Sequence, residues 1–437
     1  MDALQTQTVP TESKTRITRG QWMVLLAAFL GWMFDGFEIG LFPVVARPAL
    51  KSFAAQFAPA GVSPDAFIGQ WMGYITAAFL LGAAAGGFIF GWMGDRIGRV
   101  RAMAFSILTY SLFTALGYFA QSPTHLAIFR FIASLGMGGE WALGVALVME
   151  CWPEKWRPLM AGFIGAAANI GILLVAYIAK LWSVTETSWR GMFLIGAVPA
   201  ILVFLIRLFV PESEKWKAVA SPNTKPFREV FRPPLLKFTL LGILFASVAL
   251  IGTWGSIQWI TLWVDQITGG TMPDAKANAQ MASAWGAVVG SLVAPLIGGK
   301  IGRRIAYFGM CLASLAICQF MFRGFHEYST FLIFVIFLAG MCTAAFYGWF
   351  PLYLPELFPT RVRATGQGVS YNSGRIIAAF GAIYSGMLVA YFSRTDGATA
   401  VAGSGYAQMG SWITLVYVVG MVTIWLAPET KGKPLPE

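Results

Sequence analysis

Long apolar runs dominate the chain, and short polar segments punctuate them. The runs fall near residues 20–48, 67–94, 101–121, 124–150, 157–182, 189–210, 237–265, 279–299, 305–323, 329–354, 363–392 and 405–427. About twenty apolar residues suffice to cross the hydrocarbon core of a bilayer as a helix. The pattern therefore predicts an all-α membrane protein with twelve spans.

Composition agrees. Of 437 residues, 57% are hydrophobic and 12% charged, with a mean hydropathy of +0.66. Soluble domains carry about 25% charged residues, and a soluble fold of this length has no way to hide so much apolar surface. The net charge of +11 raises the question of nucleic acid. Its distribution answers it: with both termini cytoplasmic, most Lys and Arg fall on the cytoplasmic side, as the positive-inside rule requires. No nucleic-acid partner is expected; the lipid bilayer is.

The polar start of the chain, with Lys14, Arg16 and Arg19, shows no short apolar core followed by a small-residue cleavage pattern, so no signal peptide is expected. Cys151, Cys311, Cys318 and Cys342 have no metal-type spacing. His125 and His326 are the whole histidine complement and sit near outer loops. No metal or cofactor is expected, and there is no HExxH, no GxxxxGK[ST] and no nucleophile set. Enzymes and ATP-driven pumps are thereby disfavoured.

The chain repeats itself. The polar connection 211–236 separates two halves, a first bundle at 20–210 and a second at 237–427, with tails at 1–19 and 428–437. GWMGDRIGR has a partner in PLIGGKIGR: Gly94, Ile97, Gly98 and Arg99 map onto Gly298, Ile301, Gly302 and Arg303. The same shift carries Gly82 and Gly86 onto Gly286 and Gly290, small-xxx-small steps that let helix backbones approach. Glu150, Pro153, Arg157 and Gly162 map onto Glu356, Pro359, Arg363 and Gly368, and Pro211-Glu212 onto Pro428-Glu429. Two six-helix bundles in parallel duplication follow, with a substrate site expected between them near the midplane.

GWMGDRIGRVR resembles the loop between spans two and three of the major facilitator superfamily, and PES and PETKGK resemble the ends of its two bundles. FDGFE, RFIASLGMGGEW, ECWPEKWRP and PESEKW are similar to blocks of its sialate:proton and carboxylate:proton symporters, most of which have Asp where this chain has Glu38. The resemblance implies the facilitator fold, rocking of one bundle against the other, and import of an organic anion with a proton. It also implies that Asp95 and Arg99 latch the bundles on the cytoplasmic side.

An ionised side chain at mid-bilayer costs about 2.5–3.5 kcal/mol on insertion scales, so those present call for a role. Asp35 and Glu38, in GWMFDGFEIG, share a helix face and are expected to titrate as a unit. Glu140, beside Trp141 in GMGGEW, has Ala344 at its duplicate position, which points beyond scaffolding to proton or substrate work. Arg375 is the candidate for holding a carboxylate, since a guanidinium forks onto it and stays charged. Tyr371 and Asn372 lie one turn earlier on the same helix. A standing ion pair of Arg375 with Asp35 or Glu38 is the alternative. Arg130 is a second candidate for substrate contact, or else pairs within its bundle or turns outward. GTWGSIQW interrupts span seven and offers Trp254 and Gln258 to a cavity, or merely kinks the helix.

A gate is expected at the loops after spans two, four, eight and ten. Its residues are Gly91, Gly94, Asp95, Arg96, Gly98, Arg99, Glu150 and Arg157 in the first half, and Gly298, Arg303, Glu356 and Arg363 in the second. The pairs Glu150/Arg157 and Glu356/Arg363 are expected to strengthen it. Gly299 replaces Asp95 in the second copy, so the two corners are unequal. The full expectation is a monomeric, multi-pass importer of a small organic anion (sialic acid, another sugar acid, a short monocarboxylate or an aromatic acid) in a plasma or bacterial inner membrane. A sugar or organic-cation carrier and a membrane sensor are the competing readings.

Overall fold

The computed structural model describes residues 17–61, 64–181, 184–196, 198, 209–219, 225–269, 272–395 and 404–437. Among these residues every regular element is helical. The first half contains α1 (Arg19–Phe57), α2 (Pro64–Ile97), α3 (Arg99–Leu116), α4 (Pro123–Cys151), α5 (Arg157–Leu181) and α6 (Trp189–Ile195). The connection carries two short helices, α7 (Glu214–Val219) and α8 (Pro226–Val230). The second half contains α9 (Leu235–Gly255), α10 (Ile260–Ile267), α11 (Pro273–Ile301), α12 (Arg303–Gly324), α13 (Thr330–Tyr353), α14 (Arg363–Thr395), α15 (Ser404–Ile413) and α16 (Val416–Thr423).

Local chemistry sets the ends. Thr18 and Gln21 form a reciprocal capping box at the start of α1, satisfying N–H groups that the first turn leaves free. Ser122 and Ser329 cap α4 and α13, each accepting from an N–H three residues on. Among the described residues, ten stretches are long and apolar enough to cross a membrane. Of the two remaining expected spans, α14 has the length but is polar through ATGQGVSYNSGR. The sixth, 189–210, is described from Trp189 to Gly196 and at a few later positions; the rest of it lies outside the described residues.

The duplication is visible in the packing. Within the first half α2 packs on α4, α1 on α5 and α3 on α4; within the second, α11 packs on α13, α9 on α14 and α12 on α13. The halves meet along α2 with α14 and α5 with α11. A Cβ on Gly86 would strike the carbonyl of Leu135, and one on Gly290 that of Met341. Here the absent side chain is what permits helix contact.

Candidate functional site

α4 and α14 face one another at the seam. The ring of Trp141 stacks on Tyr371 at 4.3 Å, and Arg375 holds its guanidinium carbon 5.0 Å from the centroid of that same Tyr371 ring. Arg375 Nη1 donates to Asn372 Oδ1 at 3.0 Å. Asn372 Nδ2 donates to the Gly368 carbonyl at 2.9 Å and, across the seam, to that of Gly138 at 3.4 Å. Gly87 of α2 lacks the Cβ that would collide with the Asn372 carboxamide, and Gly138 lacks the one that would strike the Ala83 carbonyl of α2. Arg375 makes no ion pair with a described residue; the standing pair with Asp35 or Glu38 is not what this conformation contains.

The acids regroup relative to the sequence expectation. Asp35 and Glu38 do share a face of α1, but their carboxylates take different partners. Glu38 bonds Arg130 Nη1, and Arg130 Nη2 donates to the Glu38 carbonyl at 2.9 Å. Arg130 also lies over Phe79 and Phe42 at 4.7 and 5.1 Å. This buried pair sits inside the first bundle, so the Arg130 guanidinium is engaged rather than free in the seam. Asp35 instead neighbours Glu140 of α4. Gly31, one turn before Asp35, makes the room: a Cβ there would collide with the Glu140 carboxylate. Asp35 is 0% and Glu140 1% exposed, and neither receives a hydrogen bond from a described donor. Two facing carboxyls without donors are suited to share a proton. The charge of Arg375 reaches Asp35 across the seam.

A cavity of about 140 Å³ opens between α5 and the second bundle, lined by Asn169, Thr253, Gln258, Gln280, Ser283 and Tyr347 among others. The break in span seven shapes it. α9 stops at Gly255, Ser256 leaves the helical region (φ −130°, ψ −59°), and a tight turn at Ile257–Trp259 precedes α10. Ser385 of α14 donates to the freed Gly255 carbonyl at 2.9 Å, so that acceptor is satisfied at the break. Gln258 lines the cavity; Trp254 is half-buried and its carbonyl accepts from the Trp259 indole at 3.2 Å. Tyr347 links the regions, standing beside Thr253, Tyr371 and Arg375.

At the end of the molecule carrying the 95–101 and 299–304 loops, the bundles are joined. Asp95 accepts from the Ala364 and Thr365 N–H groups at 3.2 and 2.8 Å, capping the start of α14 from the other bundle. Arg99 binds Asp95 at 2.8 Å, Glu150 at 3.1 Å and the Thr360 carbonyl at 2.7 Å. Glu150 also binds Arg363 Nη1 at 2.9 Å. Gly91 and Gly94 let this contact close, each lying against Ala364. Arg96 lies over Trp92 at 5.5 Å. The expected pairs Glu150/Arg157 and Glu356/Arg363 are not formed. Glu356 binds Arg303 through two bonds, at 3.0 and 2.6 Å, while Arg157 donates to the Met149 carbonyl at 3.2 Å. The reason is that Arg363 lies across the seam from Glu150, whereas Arg303 stands beside Glu356 in its own bundle.

Sequence reasoning noted the repeated Pro-Glu but assigned it no role. Glu212 accepts from Arg99 N and Val100 N, both at 3.1 Å; Glu429 accepts from Arg303 N and Arg304 N at 3.0 and 3.1 Å. Gly98 and Gly302 precede these helices at φ 105° and 104°, and a Cβ on either would press on the capping carboxylate. Burial raises the Glu429 pKa, but four surrounding N–H groups outweigh it and hold the carboxyl below the usual range. Asn169, Gln280 and Tyr347 were also missed: polar residues scattered over three spans carry no joint signal in the sequence.

The family profile described as "Major Facilitator Superfamily" matches residues 22–275. The cis,cis-muconate transport protein of Acinetobacter baylyi is 28% identical, covering 96% of this chain and 98% of the relative. The sialic acid transporter NanX of Escherichia coli is 27% identical over 85% of this chain and 87% of its own. The solved proton:xylose symporter XylE superposes with a TM-score of 0.72 at 18% identity, covering 95% of this chain and 98% of that one, a likeness of fold.

Proposed function

The chain belongs to the major facilitator superfamily, a family of transporters, and on that premise we propose that it imports a small organic anion together with protons. One observation carries the proposal: two carboxylates without a hydrogen-bond donor, Asp35 and Glu140, buried opposite a seam arginine that forms no ion pair with a described acid. With one proton shared, these acids and Arg375 sum to zero charge. A second proton leaves the group cationic, and a monoanion arriving at Arg375 restores neutrality. Coupling thus follows from charge balance in a medium where unbalanced charge is costly. The carboxylate substrates named for two relatives support the anion.

In this reading the loop end faces the cytoplasm in a bacterial inner membrane, and the closed gate makes this the outward-facing state. The substrate carboxylate meets Arg375, with Tyr371, Asn372 and Trp141 around it, and its remainder occupies the cavity beside Gln258 and Tyr347. Rocking then frees Asp95 from the start of α14 and opens the inner side.

The test is uptake of sialic acid, cis,cis-muconate and benzoate into proteoliposomes under an imposed pH gradient. Asp35→Asn and Glu140→Gln should abolish acceleration by the gradient while leaving exchange between substrate pools. Arg375→Ala should remove acid binding. Gradient-driven uptake unchanged in all three variants would overturn the proposal. The carboxamides in the cavity favour one competitor, a neutral-sugar carrier; it requires sugar uptake indifferent to pH and to Arg375→Ala.

A further inference from the structure

Among the described residues of the first bundle, besides Arg99 (at Nε) and Glu150 (at Oε2) where the bundles join and Trp189 at the start of α6, six more buried residues have side-chain polar atoms without a hydrogen-bond partner: Asp35, Tyr110, Ser111, Thr114, Arg130 (at Nε) and Glu140. All are 5% exposed or less. Buried polar atoms are nearly always satisfied by protein or water, so such a concentration within one bundle calls for an explanation. Their placement supplies it. Tyr110 and Thr114 are four residues apart on α3, and Ser111 and Thr114 three apart, so the hydroxyls share one face. Glu38 lies one turn beyond Asp35 on α1. Tyr110 neighbours Glu140, Asp35 and Glu38. Thr114, Glu38 and Arg130 line a common cavity of about 10 Å³.

That volume is about what one water needs, and a buried water takes two to four polar partners. The Glu38 carboxylate, the Thr114 hydroxyl and Arg130 Nε supply three. We propose that α3 carries a proton relay inside the first bundle, running from Glu38 through a water at Thr114 and the Ser111 and Tyr110 hydroxyls to the Asp35/Glu140 pair. A hydroxyl both donates and accepts, so each station passes on one proton as it receives another. Glu38 loses one proton, the acid pair gains one, and every hydroxyl ends unchanged. Arg130 holds Glu38 when it is ionised, and Arg375 faces the other terminus from the second bundle. The proton then has a route separate from the cavity at Gln258 and Gln280.

The inference rests on the coupling proposed above. Its test uses proteoliposomes and whichever of sialic acid and cis,cis-muconate the wild type takes up. Substrate-driven proton flux is followed with a pH dye, alongside counterflow exchange of labelled substrate. Thr114→Val and Tyr110→Phe should lower proton flux by about tenfold or more with counterflow retained, and Thr114→Ser should restore it. Full flux in both hydroxyl-free variants overturns the relay and leaves the coupling intact. Equal loss of flux and counterflow in Thr114→Val, Tyr110→Phe and Thr114→Ser also overturns it, because packing rather than the hydroxyl would then matter. A wild type that moves substrate without protons removes the coupling reading itself, and the relay with it.

Discussion

The two corners at which the bundles meet are built from the same parts and differ at the seam. In each, a glutamate following the sixth expected span of its bundle reaches back to cap the start of that bundle's third span, Glu212 at α3 and Glu429 at α12. In each, the arginine at that start also bonds a carbonyl five residues back, Arg99 to Gly94 and Arg303 to Gly298. The seam differs. Asp95 reaches across to the Ala364 and Thr365 N–H groups. Its duplicate is Gly299, and the duplicate of Ala364 is Pro158, which has no N–H. Acceptor and donor are missing together, and Gly299 simply lies against the Pro158 ring. One corner is thus a charged latch and the other an apolar contact. A latch of hydrogen bonds has discrete bound and broken states, whereas the apolar contact can slide; the asymmetry suits a hinge that opens at one corner.

Breaking the latch should have the largest effect. Asp95→Ala leaves Arg99 short of a buried partner and the α14 start uncapped, a loss of about 3 kcal/mol from the closed state. Spin labels at the exposed Arg101 and Lys300 positions should report a longer population; an unchanged distance distribution would refute the latch. Moving the latch to the other corner is the next test. Gly299→Asp alone should destabilise the closed state, because its Cβ meets Pro158 within 2.9 Å. Combined with Pro158→Ala it should recover, with a coupling of about 1–2 kcal/mol; strictly additive effects would argue against equivalence of the corners.

The shared caps come next. Glu429→Gln should lower stability by about 1 kcal/mol at neutral pH, read as Tm in detergent. The Glu429 pKa is depressed in the fold. Its contribution is therefore present above the unfolded value of about 4.3 and lost as pH falls through the lower folded value. The Tm gap between variant and wild type should close at the acid end, and a gap constant with pH would contradict the cap. Smallest is Lys431→Ala, which removes an exposed bond to the Lys300 carbonyl; a change of about 0.5 kcal/mol or less is expected.

Much of the site's inventory was legible from local rules. Apolar run length marked most spans, repeated glycines marked the close helix crossings, and charge in an apolar setting singled out Asp35, Glu38, Glu140, Arg130 and Arg375. Partnership was not legible. Same-face spacing suggested an Asp35/Glu38 couple, yet the structure joins Asp35 to Glu140 and Glu38 to Arg130. The gate arginines likewise exchanged partners, Arg363 going to Glu150 and Arg303 to Glu356.

The sequence by itself determined that this is a duplicated helical membrane protein, where its helices come closest, and which charges lie buried. Those properties depend on solvent and on neighbours a turn away, and both are written in the order of residues. Only the tertiary structure decided which charges meet, because a helix face three residues wide can turn to several neighbours. That choice is made by packing across residues such as Gly31, whose missing Cβ leaves space for the Glu140 carboxylate near Asp35.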